Sequence, residues 1–170
     1  AESHPLDPRA AYAEEKCRLN AQACAFCREN GLSYSWGRIF YAYGRGEHPS
    51  RLIPDILNCA RSNTTLNVRT SSLRRDYIYS KDVALAFSKL LASRCEGDVN
   101  ISTGTAVSIE DIVRTAFELL RLPLKAYFKN EDSGQFPLIL GDNSKLKKET
   151  GFTPRYSLRE ALAEIIRQSE

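Results

Sequence analysis

The chain has 170 residues, of which 42% are hydrophobic and 26% charged, and its formal net charge is +3. This composition is that of an ordinary globular protein and excludes a disordered or fibrous chain. The small net charge gives no reason to expect nucleic acid as a partner, and no run of about 18 apolar residues predicts a membrane span.

Strands and helices are predicted to alternate from end to end. In chain order the predictions are a helix over 7–30, a short buried strand within 32–44, a loop over 44–50, a helix over 52–63, an exposed strand over 65–70, an extended segment over 74–80, a helix over 83–93, strands over 98–103 and 125–129 separated by a helix over 108–121, a polar loop over 130–141, and helices over 143–150 and 157–169. This alternation indicates an α/β fold class.

Residues at the predicted helix ends support these bounds. The expected N-caps are Asp7 (followed by Pro8), Asp82, Ser108 and Ser157, the last two forming capping boxes with Asp111 and Glu160. Gly31 and Gly151 are expected to end their helices in the left-handed conformation.

The stretch AAYAEEKC, residues 10–17, places Tyr12 and Lys16 four positions apart. On a helix these side chains share a face, one turn apart. An ammonium beside a phenol favours the phenolate, and such a tyrosine can exchange a proton with a sugar or alcohol oxygen while hydride moves at the carbon. The same spacing also fits an exposed lysine beside a packed tyrosine, so the spacing alone leaves both interpretations open.

Five strings give this pair a context. They are DPRAAYAEEK, GLSYSWGRIFYAYGRGEHPSRLIP, RRDYIYSKDVALAF, GDVNISTGTAVSIEDIV and LGDNSKLKKETGFTPRYSLREAL. In this order and spacing they resemble the C-terminal half of the extended short-chain dehydrogenase/reductases, which are NAD-dependent sugar-nucleotide epimerases, dehydratases and reductases. The resemblance implies the tail end of a doubly wound, Rossmann-like sheet plus a small α/β substrate-binding lobe. Residues 1–50 would be the remnant of the dinucleotide-binding domain, and residues 51–170 mainly the substrate lobe, with some segments returning to the sheet.

The resemblance also implies roles for single residues. Tyr12 would be the catalytic acid/base, and Lys16 would hold the nicotinamide ribose and tune the tyrosine. Ile39 and Phe40 would lie near the nicotinamide. The implied substrate contacts are Tyr41, Arg51, Leu52, Leu66, Val68, Arg75 and Asn100. Among these, Arg75 would grip the nucleotide diphosphate with its planar fork. No metal is implied.

The nine glycines of the chain form no Gly-rich dinucleotide loop. In the family, that loop lets backbone and a helix N-terminus approach the cofactor pyrophosphate. We therefore expect NAD or NADP in the complete enzyme, no cofactor held by this chain alone, and no turnover by the chain alone. Three explanations stay open: a piece of a longer enzyme, a natural half that pairs with a separate nucleotide-binding partner, or a non-catalytic module that binds a nucleotide sugar or a protein.

The expected partners are a nucleoside-diphosphate sugar and either a second copy of the chain or a missing N-terminal half. The reason for a protein partner is that a half-sheet leaves an edge and an apolar helix face that another chain must cover. Residues 1–10 lack the apolar centre of a signal peptide, and the five cysteines show no framework spacing, so we expect free thiols in a cytoplasmic protein.

Other candidate sites are weaker. Cys24 and Cys27, with Cys17 one heptad earlier, lack the further ligands of a zinc site and are expected to be buried thiols. His4 and His48 lie in loop-like segments without a hydrolase nucleophile nearby. Asp76 is expected to be a structural acceptor.

Overall fold

The computed structural model describes residues 1–8 and 10–169. The helices are α1 (Ala11–Glu29), α2 (Leu52–Arg61), α3 (Ser80–Leu91), α4 (Ile109–Leu120), α5 (Ser144–Thr150) and α6 (Leu158–Arg167). The strands are β1 (Ser35–Ile39), β2 (Tyr41–Tyr43), β3 (Leu66–Val68), β4 (Arg74–Arg75), β5 (Tyr77–Tyr79), β6 (Gly97–Ile101), β7 (Val107–Ser108), β8 (Ala126–Phe128) and β9 (Leu138–Ile139). The predicted α/β class is confirmed.

Parallel pairing dominates the sheets. β1 runs parallel to β6, β2 to β5, and β3 to β8. Each pair is joined through at least one helix, as parallel strands require. The predicted polar loop over 130–141 is interrupted by β9, which pairs with β4. Strand β4 also pairs antiparallel with β7. A two-residue strand is too short to show alternation in the sequence.

Two buried apolar clusters form the core. The first joins α2, α4 and α6 with β3, and the second joins α3 and α5 with β6. Strand β5 separates them, since its neighbouring residues Ile78 and Tyr79 point into different clusters, as side chains on opposite faces of a strand must.

Both predicted capping boxes are present. The Ser108 hydroxyl accepts the Asp111 N–H at 3.0 Å, and the Ser108 N–H donates to the Asp111 carboxylate at 3.2 Å. Ser157 and Glu160 make the same reciprocal pair at the start of α6. Gly31 and Gly151 adopt left-handed φ values of 65° and 62°, so the predicted helix stops are correct.

The two aspartate caps are wrong. Helix α1 begins at Ala11, and its N-cap Ala10 makes no side-chain capping bond, so Asp7 does not cap it. Asp82 is buried in the first turn of α3, where its carboxylate accepts the backbone N–H groups of Arg155 at 2.9 Å and Tyr156 at 3.2 Å. It therefore ties the segment before α6 to α3, a long-range role that the local sequence does not reveal.

Helix α1 and strand β1 are more exposed than predicted. All five cysteines are free, yet Cys24 is exposed and Cys17 and Cys27 are only half-buried, so the prediction of buried thiols in this helix is wrong. Strand β1 has exposed ends and a half-buried centre. The reason is the same in both cases: among the described residues β1 pairs with β6 alone, and α1 buries no residue. Across the same residues, every helix is too short or too polar to cross a bilayer.

Candidate active site

Polar contacts hold α1 over the sheet. The Asn20 side-chain amide donates to Asp98 Oδ1 at 2.9 Å, and its oxygen accepts the Tyr34 hydroxyl at 2.8 Å. Asp98 on β6 also forms an ion pair with Arg38 on β1. Because one carboxylate joins the helix to two strands, α1 is fixed in position without a buried apolar face.

Tyr12 and Lys16 lie together beside a cleft between α1 and β1. The Lys16 ammonium is 5.6 Å from the centroid of the Tyr12 ring, so the two side chains share a helix face. The Tyr12 side chain is 74% exposed and borders a cleft with a volume of about 520 Å³. The remaining lining residues are Ser35, Trp36, Gly37, Arg38, Ile39 and Phe87.

Gly37 allows the close packing behind this cleft. A Cβ atom at Gly37 would lie 2.7 Å from both Ile101 Cδ1 and Phe87 Cζ, closer than carbon atoms can approach. The missing side chain therefore lets Phe87 of α3 reach β1 and close that side of the cleft.

The surface continues from this cleft along the chain. Ile39 borders both the Tyr12 cleft and a shallower one shared with Phe40 and Tyr41. The Tyr41 ring centroid lies 5.7 Å from the Arg75 guanidinium carbon. The structure thus connects Tyr12, through Ile39 and Tyr41, to Arg75.

Arg75 is 3% exposed and is held by the loop that follows β8. Its Nη1 donates to the carbonyls of Phe136 at 2.8 Å and Arg74 at 2.9 Å, and its Nη2 donates to Gln135 Oε1 at 3.1 Å. The Pro137 carbonyl lies 3.5 Å from the same Nη1, so both terminal nitrogens of the guanidinium have protein acceptors.

Asp76 fixes the loops next to Arg75. Its carboxylate accepts the Thr103 N–H and hydroxyl at 2.8 and 2.7 Å, the Gly104 N–H at 2.9 Å and the Gly141 N–H at 3.2 Å. The side chain is fully buried. The predicted structural acceptor is confirmed, and its carboxylate holds two separate stretches of chain, at 103–104 and at 141.

The other predicted substrate contacts lie outside the Tyr12 cleft. The side chain of Asn100 is buried and donates to the Asp142 carbonyl at 3.0 Å. Leu66 is in the core, while Val68 borders a separate cleft with Arg69, Tyr127 and Lys129. Arg51 is the exposed N-cap of α2, and Leu52 packs half-buried against the first cluster.

Four residues that the sequence interpretation missed shape this surface. Trp36, Arg38 and Phe87 line the Tyr12 cleft, and the Tyr77 ring lies 5.6 Å from that of Tyr41. Burial raises the pKa of Tyr77 to about 12, so it stays a neutral hydroxyl. The one available signal was Trp36, since it is the only tryptophan and lies within a predicted strand.

Comparison with known proteins decides the family. Residues 1–102 match the model of the NAD dependent epimerase/dehydratase family. The chain belongs to this family. The predicted resemblance is therefore confirmed.

Two curated relatives of this epimerase/dehydratase family member show how much of a full protein it spans. It is 29% identical over 165 residues to the trifunctional UDP-glucose 4,6-dehydratase/UDP-4-keto-6-deoxy-D-glucose 3,5-epimerase/UDP-4-keto-L-rhamnose-reductase of Arabidopsis thaliana, covering 95% of the chain and 24% of the relative. It is 25% identical over 174 residues to the dTDP-glucose 4,6-dehydratase of Streptomyces niveus, covering 97% of the chain and 50% of the relative. The chain spans half or less of the length of these relatives.

The structural likeness is extensive. RMD from Pseudomonas aeruginosa, solved in complex with NADPH, superposes with a TM-score of 0.89 at 20% identity, over 98% of this chain and 58% of that one. This comparison establishes the fold, including the Rossmann-like parallel sheet.

Proposed function

We propose that this chain carries the proton-transfer pair and the sugar-nucleotide surface of an NAD(P)-dependent nucleoside-diphosphate-sugar epimerase, dehydratase or reductase, and does not turn over alone. The observation that carries the proposal is the continuous surface from Tyr12 and Lys16 through Ile39 to Tyr41 and Arg75. One end offers a phenol and an ammonium, and the other a guanidinium, which are the groups that a sugar hydroxyl and a diphosphate need.

The chemistry follows from these groups. The Tyr12 hydroxyl gives or takes the proton of a sugar hydroxyl. Lys16 places a positive charge beside the phenol, which stabilises the oxygen while its proton is away. NAD or NADP, when bound, supplies the hydride acceptor or donor.

The residues present fit one end of the dinucleotide. The Lys16 ammonium can donate to ribose hydroxyls, and Trp36 and Ile39 provide apolar surface for a flat ring in the same cleft. Phe40 extends that surface. The pyrophosphate has no Gly-rich loop to receive it in these 170 residues, so its binding requires another segment.

The substrate is proposed to be a nucleoside-diphosphate sugar whose diphosphate meets Arg75. The planar guanidinium can donate to two phosphate oxygens at once. The Tyr41 ring lies beside this guanidinium and orients it. Arg51 and Leu52 at the start of α2, Leu66 and Val68 on β3, and Asn100 are proposed further contacts. None of these five residues lines the Tyr12 cleft, and Val68 borders a separate one.

The domain division and the protein partner are also proposed here. The proposed division is residues 1–50, completed by returning segments, and residues 51–170; the parallel pairing of β1 with β6 supports the return of a later segment to the sheet. Leu19 and Phe26 on α1 are 49% and 60% exposed, and β1 has a free edge among the described strands. A second copy or an N-terminal half is proposed to cover this surface.

Calorimetric titration tests the proposal on the chain itself. We expect UDP-glucose or dTDP-glucose to bind, and NAD to bind only after an N-terminal dinucleotide-binding half is added. Binding of the nucleotide sugar with no turnover after that addition would favour the non-catalytic module. Failure of every nucleoside-diphosphate sugar to bind would contradict the assignment of Arg75.

A further inference from the structure

A second cavity, separate from the Tyr12 cleft, lies between the end of β2 and the start of α6. Its volume is about 420 Å³, and it shares no lining residue with the Tyr12 cleft. Six hydroxyl-bearing residues line it: Tyr43, Tyr77, Thr103, Thr105, Tyr156 and Ser157. Val107, Pro154 and Leu158 complete the wall.

Tyr43 is the unusual member of this set. The side chain is 5% exposed, yet its hydroxyl has no hydrogen-bond partner within residues 1–8 and 10–169. In the same part of the chain, the only fully enclosed polar side-chain atom without a partner is Ser102 Oγ, so the Tyr43 hydroxyl is not sealed in the core. Tyr43 is a lining residue of the cavity. A ligand hydroxyl would give the Tyr43 hydroxyl the hydrogen-bond partner that the described residues do not provide.

The chemistry of the cavity favours a neutral ligand. None of its lining residues is charged. Helix α6 begins at the cavity, but Glu160 already accepts the N–H and hydroxyl of Ser157, which supplies the negative charge that a helix start attracts. Burial, and then the charge of Asp82, raises the pKa of Tyr43, so this residue stays a neutral donor and acceptor.

The walls are rigid and aromatic. The Tyr43 ring contacts those of Tyr77 and Tyr79 with centroid separations of 6.3 and 5.7 Å. Tyr79 meets Tyr156 edge-on at 5.0 Å. These contacts hold ring surfaces and hydroxyls in one geometry, which limits the ordering needed when a ligand binds.

We propose that this cavity binds the ring of a monosaccharide, whose C–H surface lies on the tyrosine rings and whose hydroxyls pair with Tyr43 and Thr105. Hydroxyl groups both donate and accept hydrogen bonds, so they match a polyhydroxylated ring better than a ligand with a single polarity. The cavity volume is within the range of small-molecule sites. The proposal is independent of the Tyr12 cleft and does not require the chain to be an enzyme.

Ligand-observed and amide-shift NMR on the intact chain tests this site, with D-glucose and UDP-glucose as two probes. We expect glucose to bind with a dissociation constant of about 1–10 mM, as befits a ligand of its size, and to shift the amides of Thr105 and Ser157. Tyr43→Phe should weaken binding about fivefold by removing one hydrogen bond. The control Thr64→Val, which removes an exposed hydroxyl outside the cavity, should leave binding unchanged.

The two probes identify the source of the ring. Tyr43-dependent binding of glucose assigns the cavity to a free sugar, and Tyr43-dependent binding of UDP-glucose alone assigns it to the sugar of a nucleotide sugar. No binding of either probe, or binding that is the same in Tyr43→Phe, overturns the proposal. If Tyr43→Phe fails to fold, Thr105→Val at the exposed rim decides the question by the same criterion.

Discussion

Arg75 combines burial with hydrogen bonds to neutral acceptors. Its guanidinium is held by Arg74, Gln135 and Phe136, and the Tyr41 ring lies beside it. Among the described residues Arg75 forms no ion pair, and a buried cation is costly unless it is paired. The proposed diphosphate contact depends on this residue.

At this scale we predict that Arg75→Lys weakens binding of UDP-glucose about tenfold. Lysine keeps the charge but loses the planar fork that can hold two phosphate oxygens. Calorimetry measures the effect. The matched control is Arg74→Lys, because Arg74 is the neighbouring arginine and is exposed. Equal affinities for the two variants would contradict the clamp role.

Some residue-scale features were predictable and others were not. The shared face of Tyr12 and Lys16 depends only on helical spacing, so the sequence sufficed. The partners of Arg75 did not follow from the sequence, because the Phe136 carbonyl is 61 positions away. The second cavity, which Tyr43 lines, likewise depends on segments that meet only in the folded chain.

At the scale of elements, α1 depends on polar contacts more than on burial. Asn20 reaches Asp98 on β6 and Tyr34, whereas no residue of the helix is buried. Its position over the Tyr12 cleft is therefore sensitive to a single side chain.

We expect Asn20→Ala to destabilise the docking of α1 by about 1 kcal/mol, the net value of a hydrogen bond with some desolvation added. Native-state hydrogen exchange should show faster exchange of α1 amides and unchanged exchange in β6. Gln22→Ala, at an exposed position of the same helix, is the control. If the α1 amides exchange at the same rate in Asn20→Ala as in the wild type, other contacts hold the helix.

The capping box of α4 predicts a pH dependence of stability. Hydrogen bonds from the Ser108 hydroxyl and then its N–H lower the pKa of Asp111 below its ordinary 3.8. A lowered folded-state pKa gives stability that is present above the ordinary value and is lost as the pH falls through the folded one. Ser108→Ala should therefore lower the free energy of unfolding by about 1 kcal/mol at neutral pH, and less at acidic pH.

Urea denaturation at neutral and at acidic pH measures the difference in free energy of unfolding between wild type and Ser108→Ala. Ser62→Ala removes a hydroxyl bonded to the Asn58 carbonyl, where no carboxylate takes part, so its effect should not change with pH. A difference for Ser108→Ala that stays constant into acid would rule out the Asp111 contribution.

Local signals explain which elements the sequence could predict. Capping boxes and glycine stops were correct because they involve neighbouring residues. Strands β4, β7 and β9 have two residues each and exist through pairing across distant segments. The exposure of α1 was missed for a similar reason, since amphipathic spacing does not show whether a partner covers the face.

At the scale of the whole molecule, one side of the structure is uncovered. Leu19 and Phe26 are exposed on α1, next to the free edge of β1. The first apolar cluster is buried by contrast. The proposed contact with a second copy or an N-terminal half rests on this asymmetry.

We predict association through this face at micromolar concentration, measured by light scattering. Phe26→Lys should reduce the average mass because it places a charge in an apolar contact. Phe136→Lys, at another exposed aromatic residue away from α1, should have no effect. A wild-type monomer under these conditions would contradict the prediction of self-association and leave the N-terminal half as the proposed partner.

The family assignment and the α/β class were predictable from ordered motifs along the chain. The central claim concerns the two groups at its start, Tyr12 and Lys16. It is tested most directly by turnover of dTDP-glucose with NAD in a fusion of this chain to the N-terminal half of the Streptomyces niveus relative. We expect turnover that Tyr12→Phe lowers at least about 100-fold and that Thr64→Val, at an exposed position, leaves unchanged. A folded fusion that binds both ligands but is inactive, or is equally active with Tyr12→Phe, would contradict it.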